Sequence, residues 1–191
     1  MPLETVDWGR FDFVSVDMYR DARIREQFPG LLARFFSHGR PVAITEFGCC
    51  TYRGAADAGG RGFAILDTST ASLDSAPARL NGPYERDEAE QARELVETLA
   101  IFEDAGVDAT FVMTFVAPLN PTSDDPVYDL DMASYSLVKS FGSRLGPLGT
   151  AHPEGPWERE RAGTTYPGMP WEPKLSFRTV SEFYEAHSTA A

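Results

Sequence analysis

Three short apolar runs, set apart by stretches of helical periodicity, leave few folds open to this chain of 191 residues. The runs are residues 11–19 (FDFVSVDMY), 41–47 (PVAITEF) and 107–116 (VDATFVMTFV). In the first, Val14, Val16 and Met18 alternate with Ser15, Asp17 and Tyr19, giving a strand one apolar face and one small or polar face. A helix is predicted over residues 23–38, where Ile24, Phe28, Leu31, Leu32, Phe35 and Phe36 recur at helical spacing before Gly39. Pro29 lies inside that pattern, so the helix restarts there with the proline in its first turn. A second helix is predicted over 86–105, with a stripe of Ala92, Leu95, Val96, Leu99 and Phe102. Asp87 and Glu88 suit its N-terminus, and Gly106 ends it. A last helix runs from Ser176, read as its N-cap, to about residue 187, turning Phe177, Val180, Phe183 and Tyr184 inward. The resulting order, β-α-β-α-β-α, predicts an α/β fold, because parallel strands need long crossovers.

The second run carries the chemistry. In PVAITEFGCC a short apolar strand delivers a carboxylate, Glu46, into Phe47 and Gly48. Strand interiors disfavour Glu, and burying its charge is costly unless the site uses it. Gly48 lets the backbone turn sharply. The ends of parallel strands are where α/β folds place their sites.

Two long loops are expected, over residues 49–84 and 117–174, and loops of that length are commonly functional or disordered. The first holds several glycines, then a Ser/Thr/Ala tract with Pro77 and Pro83. The second holds the acidic run Asp124, Asp125, Asp129 and Asp131, a short helix or strand at 133–141, and a Gly/Pro-rich tract. The acidic run lacks the ligand pattern of a calcium-binding loop, so it reads as a solvated or sugar-binding loop. No cofactor or metal is called for.

The formal net charge of −12 argues against nucleic acid and anionic membranes, which attract basic faces. No apolar run reaches membrane-spanning length, and the start, MPLETVDWGR, is not a secretory signal. Cys49 and Cys50, being adjacent, fit neither a disulfide framework nor a zinc spacing. They read as inert, partly buried thiols in a reducing, cytoplasmic setting.

The run ITEFG after a helix, preceded by a strand ending in Tyr19 and followed by one ending in FVMTF, resembles the last three βα units of a retaining glycoside hydrolase. The group is the large clan of (β/α)8 barrels whose nucleophile is a Glu at the end of the seventh strand. WEPKLSF at residues 171–177 resembles the run that opens the eighth helix in many such enzymes. The resemblance makes Glu46 the nucleophile and Tyr19 the residue that hydrogen-bonds and orients it. It makes Phe115 the nearest counterpart of the aromatic, often Trp, at the end of the eighth strand. Asp17, two residues before Tyr19 on the same face, and Arg53, in the loop after Glu46, join Phe115 as substrate-binding candidates. Tyr52 and Trp171 are further aromatics for stacking on a sugar.

A whole barrel of this kind takes roughly 250 residues, so the resemblance implies a partial (β/α)8 barrel over 1–191, starting near the sixth strand. The clan's acid/base is a Glu following Asn, and no Asn-Glu pair occurs: Asn81 precedes Gly82 and Asn120 precedes Pro121. Asp17 is the one other carboxylate at equivalent depth, with no sign of an apolar pocket to raise its pKa. The expected function is therefore a glycoside hydrolase-like module with the nucleophile half of a retaining site, incomplete and inactive alone. The alternatives are a non-catalytic relic or carbohydrate-binding half-barrel, and a small doubly wound domain. Three strands also leave raw edges and an inner face carrying Ser15, Asp17, Ile44, Phe111 and Met113. That face calls for a second copy of the chain or a complementary N-terminal half, failing which the long loops must drape over it.

Overall fold

The computed structural model describes residues 6–67, 78–141 and 162–188. After one turn of 3-10 helix at Trp8–Arg10, the order is β1 (Val14–Asp17), α1 (Phe28–Phe36), β2 (Val42–Phe47), α2 (Ala55–Ala58) and the short strands β3 (Leu66–Asp67) and β4 (Arg79–Leu80). Then follow α3 (Glu88–Asp104), β5 (Ala109–Val112), β6 (Val138–Ser140), β7 (Trp171–Pro173) and α4 (Leu175–Ser188). The fold is mixed α/β. Its centre is a parallel sheet in the spatial order β1-β2-β5, with β3-β4 and β6-β7 as antiparallel pairs.

One side of that sheet is buried under helices. Val14, Val42, Ile44 and Phe47 form a core with Phe28, Leu32 and Phe35 of α1, Leu95, Leu99 and Phe102 of α3, and Val180 of α4. Val16 stands level with Ile44, so Ile44 belongs to the helix side. That corrects its expected place on the inner face. The other side keeps Phe13 and Phe111 at 50% and 57% exposure.

The elements end where local chemistry ends them. Pro29 has no N–H to give, so α1 starts at Phe28 and the residues from Ala22 to Gln27 form turns. The Asp87 carboxylate caps α3 by accepting from the Glu90 N–H at 2.8 Å. Gly106, at φ 78°, supplies the left-handed turn that closes it. Ser176 is not an N-cap: α4 begins one residue earlier, and the serine hydroxyl donates to Gln91 Oε1 at 2.8 Å.

The two long loops are built rather than slack. Residues 49–84 contain α2, a 3-10 segment at Gly59–Ile65 and the β3-β4 pair. Residues 117–174 contain a 3-10 turn at Leu130–Ala133 and the β6-β7 pair. Together they form a second core of Cys49, Cys50, Tyr52, Ala55, Ile65, Leu80, Leu130, Met132 and Tyr135. The Ser/Thr/Ala tract and much of the Gly/Pro-rich tract lie outside the described residues. Among the described residues no helix is long and apolar enough to cross a membrane.

A polar network threads the second core. Lys174 and Asp131 are fully buried side chains 2.9 Å apart, and Lys174 also donates to Thr51 Oγ1 at 2.8 Å. Arg86 reaches Asp131 at 2.9 Å and Asp129 at 2.7 Å. Asp129 and Asp131 are thus buried ion-pair partners, not members of a solvated loop. Burial lowers the pKa of Lys174 against the pull of Asp131 and raises that of Asp129 against the pull of Arg86.

Candidate active site

A bulge in β2 decides where Glu46 points. β2 sets Ile44 beside Val16 but Glu46 beside Asp17, and on its other edge Ile44 beside Thr110 but Phe47 beside Val112. One extra residue has entered the strand at Thr45. Strict alternation from Val42 and Ile44 would turn Glu46 toward the helices. The bulge instead brings Glu46 level with Asp17 and drops Phe47 into the core, where it is 1% exposed. The carboxylate of Glu46 is half-buried at the C-terminal end of the sheet.

There it meets Tyr19, just past the end of β1. The phenol donates to Glu46 Oε1 at 2.5 Å, at the short end for a hydroxyl bonded to a carboxylate oxygen. Burial, then the hydrogen bond and the charge of Glu46, hold the Tyr19 phenol well above the ordinary tyrosine range. Tyr19 is therefore a proton donor to Glu46, not a base. Among the described residues no hydrogen bond reaches Glu46 Oε2. Asp17 stands alongside, its Oδ1 accepting from the Thr45 hydroxyl at 3.0 Å.

No protein-family model and no curated protein matches the chain.

The remaining site candidates are spread out. Phe115 stands edge-on to Trp171, ring centroids 5.3 Å apart, in an aromatic group with Tyr166 and Phe177. Arg53 is exposed and ion-paired with Glu85 at 2.5 Å. Tyr52 is buried, its hydroxyl donating to the Gly62 carbonyl at 3.1 Å, which leaves it no open face for a sugar. Burial puts the Cys49 thiol well above the ordinary range and pushes the Cys50 thiol up to about 12, so neither supplies a thiolate near neutral pH. Both cysteines are free. Among the described residues no group of three or more His, Cys, Asp or Glu side chains is placed to hold a metal ion.

One residue of the site went unread in the sequence. Tyr135 packs its ring against Tyr19 at 5.3 Å and 62° and donates to the Gly59 carbonyl at 3.0 Å. It lies in DMASYSL, a stretch with no strong periodicity, and a lone tyrosine there carries no signal.

Proposed function

We propose that Glu46 is the nucleophile of a retaining glycoside-cleaving site, that Tyr19 fixes its rotamer, and that this chain supplies that half of the site. The observation that carries this reading is the 2.5 Å contact between Tyr19 and Glu46 at the ends of neighbouring parallel strands. Tyr19 occupies Oε1, so Oε2 is the attacking oxygen. It attacks the anomeric carbon, the bond from that carbon to the leaving oxygen breaks, and the electron pair departs with the leaving group. Water then hydrolyses the glycosyl ester.

A partial (β/α)8 barrel is the architecture that goes with this function. Strands β1, β2 and β5 are neighbours in chain order, and their helices share one core on one side. Doubly wound sheets reverse their strand order and carry helices on both faces. The open inner face is then completed by a further βα segment or a second copy of the chain. The acid/base of a retaining pair belongs about 5–5.5 Å from the nucleophile, and the completing segment contributes it. The group around Phe115 and Trp171 favours a second reading, a carbohydrate-binding half-barrel without catalysis.

The chain alone is expected to leave unactivated glycans intact, because a missing general acid typically costs 10²–10⁴-fold. Dinitrophenyl glycosides need no acid. From a panel of these sugars the purified chain is expected to release dinitrophenolate slowly, and Glu46→Gln is expected to abolish the release. Equal rates from the two proteins, or no release above buffer from any sugar, would exclude the nucleophile and leave the binding module.

A further inference from the structure

The three strand ends that make the site meet on one residue. Tyr19 follows β1, Gly48 follows β2, and Thr114 lies beyond β5. Tyr135 touches all three. Its ring edge meets the Tyr19 ring, its carbonyl accepts from the Thr114 N–H at 3.2 Å, and a Cβ on Gly48 would lie 3.1 Å from its ring. Its hydroxyl is anchored on the Gly59 carbonyl.

The glycine turn packs closely on Tyr19 as well. A Cβ on Gly60 would lie 3.1 to 3.3 Å from three atoms of the Tyr19 side chain. Gly59 has φ 55°, and a Cβ there would come within 2.7 Å of the Arg20 carbonyl oxygen, in the residue next to Tyr19. Tyr19 thus packs against both a turn stripped of side chains and the Tyr135 ring. These contacts limit how far the ring can tilt and so where its hydroxyl points.

We propose that Tyr135 and the Gly59-Gly60 turn are the positioning elements of the site: they aim the Tyr19 phenol at Glu46 Oε1 and so choose which oxygen is left to react. The assignment rests on the reading of Glu46 and Tyr19 as a working pair, yet the bond between them can be followed without any substrate. A short hydrogen bond from a phenol to a carboxylate deshields its proton, which resonates downfield of the amide region in a proton NMR spectrum.

Wild-type protein is expected to show one such signal, absent from Tyr19→Phe and Glu46→Gln. Tyr135→Phe keeps the ring edge and loses one hydrogen bond, so the signal is expected to remain. Tyr135→Leu removes the edge, and Gly60→Ala presses a methyl group on the ring. Each is expected to shift the signal upfield or erase it while the helical circular dichroism stays native. An unchanged signal in folded Tyr135→Leu and Gly60→Ala would overturn the assignment, as would a wild-type spectrum without it. Should the signal respond as expected while dinitrophenolate release is absent, the positioning role stands and the glycosidase reading falls.

Discussion

Lys174→Met is expected to lower the unfolding free energy by up to about 3–5 kcal/mol, the cost of leaving a buried charge wholly unpaired, with Arg86 on Asp131 reducing it. Lys174 and Asp131 are both fully buried, and the ammonium bridges Asp131 to Thr51. Methionine fills much the same volume, so cavity formation contributes little. The loss comes from Asp131, which keeps Arg86, Ser134 and Ser136 as partners but loses one of the two cations that stand 2.9 Å from it. Burial lowers the lysine pKa despite the carboxylate beside it, so desolvation opposes the charge that Asp131 holds in place. Because each charge compensates the other at 2.9 Å, adding Asp131→Asn to Lys174→Met is expected to cost less than Asp131→Asn alone. Denaturant unfolding of the two single variants and the double variant measures this coupling. Strictly additive losses would show that the two charges do not depend on each other.

Phe102→Ala is expected to cost a similar amount, about 3–5 kcal/mol, for a different reason. Phe102 is 1% exposed and sits where α3 meets both α1 and the sheet. Its ring meets Phe47 edge-on at 5.1 Å and 88° and lies 6.0 Å from Phe28. Alanine opens a cavity among three rigid elements that cannot collapse together, and it loses the edge-to-face pair as well. The chevron of unfolding and refolding rates reports the loss. A change below about 1.5 kcal/mol, the range of volume-conserving swaps, would mean that α3 does not pack as described. Phe47 links this core to the site, since the residue before it is Glu46.

Much of the fold was legible because it rests on local rules. Gly106 and Asp87 bound α3 within two residues of their expected places, and Pro29 marked the true start of α1. The strands were read too long, 11–19 against Val14–Asp17 and 107–116 against Ala109–Val112, since apolar runs continue past the last ladder pair. The side assigned to Ile44 failed for a sharper reason. Counting back two residues from Glu46 puts Ile44 on the same face, but the bulge at Thr45 breaks the period, and nothing in VAITEF announces a bulge. The same bulge is what lets Glu46 reach Tyr19. Lys174 and Asp131 were read apart, one in a helix-opening run and one in an acidic loop. Their contact joins positions 43 apart in a segment without periodicity, and Tyr135 lies in that segment too. Local pattern places strands and helices; it does not report which loop residues meet above them.

The most direct measurement is covalent trapping. A 2-deoxy-2-fluoro glycoside with a dinitrophenolate leaving group needs no general acid to react, and its glycosyl ester turns over slowly because fluorine destabilises the oxocarbenium-like transition state. Incubated with a panel of such sugars, the protein is expected to gain the mass of one fluorosugar, carried by the peptide that contains Glu46 and absent from Glu46→Gln. An adduct on any other residue, or none across the panel, would contradict the assignment of Glu46 as nucleophile.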